Sequence, residues 1–220
     1  MKTIASSLFH RVLMPRTPAA KNYPTVLFLH GRGADEEDLL GFAPSLDPRF
    51  FIVSARAPYP FPSSGGFTWY DLGEDGTPGP AMFKSSYDML VTFMDDVRRG
   101  YPVDPTRVFL FGFSMGTVMS YALALTHPEH IRGIVAHSGY IPEGTFLRFR
   151  WADLSQIEFM VAHGTQDHVI PIHLAHRARE LLTHAHAPLL YREYPIAHSI
   201  SEESLSESSA WLRQLADRGT

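Results

Sequence analysis

The amino-acid sequence predicts one α/β domain over residues 1–220, a mostly parallel sheet with helices on both faces. Three observations carry that prediction. Short apolar runs at residues 25–30, 50–55, 108–113, 131–137, 157–163 and 189–194 alternate with stretches whose apolar residues recur at helical spacing. A length of 220 residues with 45% hydrophobic content supplies the core of one domain. Finally, Val108 to Leu125 joins a buried strand to a helix through the short turn Gly112-Phe113-Ser114-Met115-Gly116.

That turn is the most informative stretch of the chain. Glycines on either side of Ser114 fit a bend so tight that strand and helix backbones approach without room for side chains. The bend lifts the Ser114 hydroxyl clear of the sheet. It also sets Ser114 at a helix N-terminus, where unpaired N–H groups and the helix dipole favour developing negative charge. Ser114 is therefore the candidate nucleophile.

In chain order, residues 8–14 read as a leading edge strand, followed by a polar, proline-bearing connection up to Tyr23-Pro24. The buried strand 25–30 runs into His30-Gly31-Arg32-Gly33-Ala34. Asp35, Glu36, Glu37 and Asp38 then load the first turn of an expected helix with negative charge, as its dipole prefers. A glycine-rich loop after an early strand serves either as an ordinary turn or as the second donor of an oxyanion hole, and Ser114 in the same sheet favours the latter. The donors are then the backbone N–H groups of Arg32 and Met115.

Strand 50–55 follows, and residues 57–83 form a long stretch rich in proline, glycine and aromatic residues. Unstructured loops of this length are uncommon in compact domains and usually functional. Phe67, Trp69 and Tyr70 are accordingly expected to wall a substrate pocket; the competing expectation is that Trp69 and Tyr70 pack beneath the loop as a satellite core. Helical spacing covers residues 82–99 and stops at Gly100-Tyr101-Pro102. A second irregular stretch, 138–154, holds Tyr140, Phe146, Phe149 and Trp151 as candidates for an opposite wall. A helix at 172–184, a last strand at 189–194 and a final helix through Leu205 and Trp211 to Leu215 complete the pattern.

Charge and composition exclude several functions. The 19 basic and 23 acidic residues are spread along the chain, leaving no electrostatic footprint for nucleic acid. The lack of cysteine removes disulfides, thiolate metal sites and a cysteine nucleophile together. Lys2 could open a signal peptide, but His10, Arg11 and Arg16 interrupt the apolar stretch behind it. A cytoplasmic enzyme without stable membrane insertion is expected, acting on a small neutral or weakly charged molecule.

Reactive groups of parallel sheets gather at the carboxyl ends of the strands. Ser114, Asp167 and His198 each lie just past such an end, on three different loops, and so can meet. A serine hydroxyl needs an adjacent base, and that base needs an anion to fix its tautomer. His198 fits as base and Asp167 as acid, with Glu143 in reserve. Among the 12 histidines, His30 and His163 precede glycines at strand ends and read as supports for their loops. His173, His176, His184 and His186 lack a clear third ligand type and read as a solvated helix face, so no metal is expected.

Taken together, Gly112-Phe113-Ser114-Met115-Gly116, His30-Gly31-Arg32-Gly33, Trp69-Tyr70-Asp71, His163-Gly164-Thr165-Gln166-Asp167 with Val169 and Pro171, and the late His198 resemble the phospholipase/carboxylesterase family. The resemblance runs from about Thr25 to the C-terminal helix. It implies an α/β-hydrolase fold without a large cap domain and without a cofactor, with the triad and oxyanion donors on the residues named above. The family usually has Gln where this chain has Met115 and Gly where it has Thr117. A backbone donor survives that change, but the departure itself weakens the likeness to the acyl-protein thioesterases and favours a bacterial-type carboxylesterase acting on short to medium acyl esters, with a lysophospholipase or acyl-protein thioesterase as the alternative. From another class, the same fold could serve as a non-catalytic small-ligand-binding protein. Exposed apolar area near the aromatic loops would suit a substrate or a homodimer.

Overall fold

A computed structural model describes residues 3–17, 21–74 and 76–218; Lys2 lies outside them. Strands β1 (His10–Leu13), β2 (Tyr23–Leu29), β3 (Phe51–Ala55), β6 (Val103–Phe113), β7 (Gly133–His137), β8 (Glu158–Gly164) and β9 (Leu189–Tyr194) form a seven-stranded sheet in the order β1-β3-β2-β6-β7-β8-β9. Only β1 runs antiparallel, pairing with β3 at the edge; every other pairing in this sheet is parallel.

Helices cover both faces because the central strands are apolar on both. On β2, Leu27 and Leu29 join the core beneath α1 (Pro80–Gly100), α2 (Met115–Thr126) and α3 (Ile172–His184). Val26 and Phe28, one residue out of phase, point to the opposite core under α4 (Glu202–Asp217). Phe109 and Phe111 of β6 repeat this alternation, as the period of two along a strand requires. Helix α2 is buried from Met115 to Leu125, which its nearly all-apolar sequence tolerates.

Two expectations need correction. The acids at 35–38 do not open an α-helix: Asp35 accepts the Glu37 amide in a local turn, and only a 3-10 segment, Leu39–Ser45 with Pro44 inside, follows. Glu36 turns inward instead, receiving Arg56 Nε and Nη2 at 2.5 and 2.6 Å. A partner distant in sequence outweighs the local dipole preference. Nor is the stretch after β3 structureless, because β4 (Tyr59–Phe61) and β5 (Gly66–Thr68) pair as a hairpin. That hairpin grips the 31–34 loop: Gly33 N–H donates to the Phe67 carbonyl and Phe67 N–H to the Ala34 carbonyl, each at 2.8 Å.

Candidate active site

Strand register brings the three loops together. Leu29 pairs with Gly112, Phe113 with His137, and Gly164 with Tyr194, so the chain leaves β2, β6, β8 and β9 along one edge of the sheet. At the end of β6, Ser114 holds φ 56° and ψ −120°, a strained conformation for a non-glycine residue of the kind found in sharp strand-to-helix turns. The flanking glycines are sterically required. A β-carbon at Gly112 would lie 2.6 Å from the Thr117 backbone, and one at Gly116 would fall on the Leu29 carbonyl. The 30–34 loop passes beside this turn, since a β-carbon at Gly31 would stand 3.3 Å from Ser114 Cβ.

The Asp167 and His198 loops are tied to each other by their backbones. Thr165 N–H donates to the Tyr194 carbonyl at 2.8 Å and Gln166 N–H to the Ile196 carbonyl at 3.0 Å. This crossing depends on Gly164, where a β-carbon would strike the carbonyls of Ile196 and Ala197.

Three side chains then form one chain of hydrogen bonds. His198 Nε2 lies 3.0 Å from Ser114 Oγ, and His198 Nδ1 lies 2.7 Å from Asp167 Oδ2. A carboxylate only accepts, so Nδ1 carries the hydrogen and Nε2 is free to accept from the serine hydroxyl. Asp167 Oδ1 receives the amides of Val169 and Ile170 at 2.9 and 2.8 Å. Burial alone would push the Asp167 carboxyl up, but the bonds from His198, Ile170 and Val169 outweigh it and hold the group below its ordinary range. The arrangement can move a proton from Oγ to imidazole beside a fixed anion. Glu143, the reserve acid, lines the same cleft as Ser114 but is paired with Arg177, accepting Nε and Nη2 at 2.9 Å each, while His198 Nδ1 bonds Asp167.

Ser114 opens into a cleft of about 490 Å³, shared with Arg32 and Met115. Met115 is the first residue of α2, where the backbone N–H has no partner within the helix. The remaining wall is mainly apolar, with Tyr70, Leu72, Tyr140, Ile141, Ile170 and Leu174. Tyr70 is one of these lining residues, and its phenol is pushed well up by burial and by Tyr140 beside it.

Trp69 and Phe67 do not line this cleft. The Trp69 indole is fully buried and donates Nε1–H to the His30 carbonyl at 2.9 Å, while the Trp69 carbonyl accepts the Ser86 hydroxyl. Phe67 pins the 31–34 loop by its backbone and lies under the Arg56 guanidinium, 4.4 Å from the ring centroid. Both support the loop from behind. Of the aromatics expected in the opposite wall, Tyr140 lines the cleft, whereas Phe149 and Trp151 pack edge to face, 5.5 Å apart, against the core. Val169, Ile170, Pro171 and Leu174 form a wall that sequence reading missed; the signal was the apolar run Val169-Ile170-Pro171 that begins after His168.

Buried histidines hold the scaffold in their neutral form. His30 donates Nδ1–H to the Gly31 carbonyl at 2.7 Å and accepts the Ala57 amide on Nε2 at 3.0 Å, fixing the loop it precedes. Burial depresses the pKa of His10, His30 and His163, and takes that of His137 from 6.5 to about 3. Between those two values the unfolded chain binds a proton that folded His137 refuses, so stability is intact above pH 6.5 and falls as pH drops. His137 alone should lower unfolding free energy by about 2 kcal/mol between pH 7.5 and 5. Urea titrations at both pH values measure this, and an unchanged midpoint would contradict it.

A parallel sheet of this order carrying Ser114, Asp167 and His198 at its edge defines an α/β-hydrolase of the serine type. The model of the phospholipase/carboxylesterase family matches residues 12–216, and the chain belongs to that family. Its relatives include a probable carboxylesterase of Oryza sativa subsp. japonica, 26% identical over 211 residues that span 89% of this chain and 79% of that one. Acyl-protein thioesterase 1 of Candida albicans is 26% identical over 214 residues, 88% of this chain and 92% of its own. Two solved carboxylesterases share the fold at 20% identity. That of Bacillus cereus has a TM-score of 0.81 with 94% of each chain covered, and that of Mesorhizobium loti has 0.82 with 94% of this chain and 95% of its own. The protein is accordingly a hydrolase of the esterase/thioesterase class. None of its helices, among the described residues, is long and apolar enough to cross a membrane.

Proposed function

We propose that this protein is a serine carboxylesterase that cleaves short to medium acyl esters of small molecules through an acyl-enzyme on Ser114. The observation that carries the reading is the unbroken hydrogen-bond chain from Ser114 Oγ through His198 to Asp167. His198 takes the serine proton as Oγ attacks the ester carbonyl, and Asp167 stabilises the imidazolium that forms. The carbonyl oxygen, now an oxyanion, faces the backbone N–H groups of Arg32 and Met115, a contribution of about 3–4 kcal/mol per donor in comparable sites. Imidazolium returns the proton to the departing alcohol. Water, activated by the same His198, then releases the acid.

The apolar lining suits an acyl chain, and a cleft of about 490 Å³ is modest for a small-molecule site. A preference for longer chains, as a lysophospholipase or thioesterase would show, finds support in the exposed Leu72 and Val169 at its rim. A p-nitrophenyl ester series from acetate through butyrate to laurate separates these readings. We expect kcat/KM to peak at or below butyrate; an optimum at laurate would transfer the assignment to lipid or acylated-protein substrates. A fluorophosphonate probe should label Ser114 in the folded protein. Absence of both labelling and turnover would leave a ligand-binding protein on this fold.

A further inference from the structure

His163, the last residue but one of β8, lies outside the hydrogen-bond chain yet touches it. Its side chain and that of Asp167 are both 0% exposed. His163 Nε2 is 2.8 Å from the Ile170 carbonyl oxygen and 3.5 Å from Asp167 Oδ2. Because a carbonyl only accepts, Nε2 carries the hydrogen and Nδ1 is a bare acceptor. Nδ1 has no hydrogen-bond partner among the described residues. The single N–H of this buried ring is therefore directed at the turn that presents Asp167.

Ile170 is held from both sides of its peptide. Its carbonyl receives His163, and its amide donates to Asp167 Oδ1 at 2.8 Å. Oδ2, the oxygen that holds His198, faces the His163 N–H at a separation too long for a hydrogen bond but short enough for its dipole to favour the anion. The titratable groups around this imidazole are Asp167 on its own loop, His198 from the loop before α4, His176 from α3 and His137 from β7. Burial keeps His163 neutral among them.

We propose that His163 is a positioning residue for the acid of the triad: it clamps the 167–170 turn through the Ile170 carbonyl and aims its N–H at the Asp167 oxygen that orients His198. The inference rests on the reading of Ser114, His198 and Asp167 as a catalytic triad. Without the clamp the turn can shift, the Asp167–His198 bond weakens, and the imidazolium formed during attack loses stabilisation. His163 itself does not line the cleft; it holds the wall residue Ile170 by the backbone carbonyl, so the Ile170 side chain stays available to substrate.

The test is p-nitrophenyl acetate hydrolysis from pH 5 to 9 by wild type, His163→Leu and His163→Gln, with Ser114→Ala alongside. His163→Leu should lower kcat by about 10- to 100-fold, the scale of a small misplacement of a catalytic group, with KM within about twofold. The acidic limb of kcat/KM, which reports His198, should move to lower pH. His163→Gln, whose amide N–H can reach the Ile170 carbonyl, should recover most of the lost kcat. If His163→Leu does not fold, His163→Asn, too short to reach Ile170, takes its place. Wild-type kcat and an unmoved limb in the Leu or Asn variant would overturn the proposal. So would equal losses in the Gln variant with an unmoved limb and a lowered melting temperature, which would mark a packing role alone. Hydrolysis that survives in Ser114→Ala, or that wild type lacks, would overturn the triad reading itself, and the inference with it.

Discussion

Replacing Ser114 by alanine should lower kcat/KM for p-nitrophenyl butyrate by about a millionfold, or about 8 kcal/mol of transition-state stabilisation. The size follows from the chemistry removed. Without Oγ there is no nucleophile for His198 to activate and no covalent intermediate, and only the oxyanion donors and the cleft remain to act on water. The loss should appear in kcat, with the thermal midpoint close to wild type, because the hydroxyl bonds His198 alone among the described residues and the alanine inherits the same φ of 56°. Ser114→Gly offers a second view of the strain. Glycine accepts that φ without penalty, so this variant should be equally inactive yet more stable by about 1 kcal/mol. An Ala variant that retains esterase activity would remove Ser114 from the mechanism altogether.

The Ser114 turn was legible in the sequence because its constraints are local. Gly112 and Gly116 are demanded by backbones a few residues away, and no distant partner changes that. Convergence of Ser114, Asp167 and His198 was legible for a topological reason: parallel strands end on one edge, so loops remote in sequence become neighbours. What escaped depends on partners that a linear reading cannot supply. Glu36 forsakes a helix N-terminus for Arg56 on the segment after β3. Three-residue strands such as β4 and β5, one of them holding Pro60, give too short a pattern to stand out from a loop. Trp69 and Tyr70 are adjacent aromatics with different fates, decided by where the Trp69 indole N–H finds a carbonyl. His163 reads from the sequence as a loop support, and only its distance to Asp167 in the fold adds a link to the triad.

Asp167→Asn should reduce kcat by about ten-thousandfold while leaving the fold intact. The reason lies in how the carboxylate is already held. Oδ1 accepts the amides of Val169 and Ile170, and in the variant only the carboxamide oxygen can take that place. The NH2 group is thereby directed to the Oδ2 position, where His198 Nδ1 waits at 2.7 Å. A donor facing Nδ1 selects the tautomer with hydrogen on Nε2, pointing it at Ser114 Oγ and leaving no base for the serine proton. The same NH2 meets the His163 N–H, which deepens the mismatch. Asp167→Ala acts differently, leaving two amides without their acceptor, and should also lower stability by about 1–3 kcal/mol. Glu143→Gln serves as the contrast. Glu143 is paired with Arg177 rather than with His198, so its loss should change kcat only a few-fold. If Glu143→Gln proved the more damaging of the two amide substitutions, the acid of the triad would have to be reassigned to Glu143.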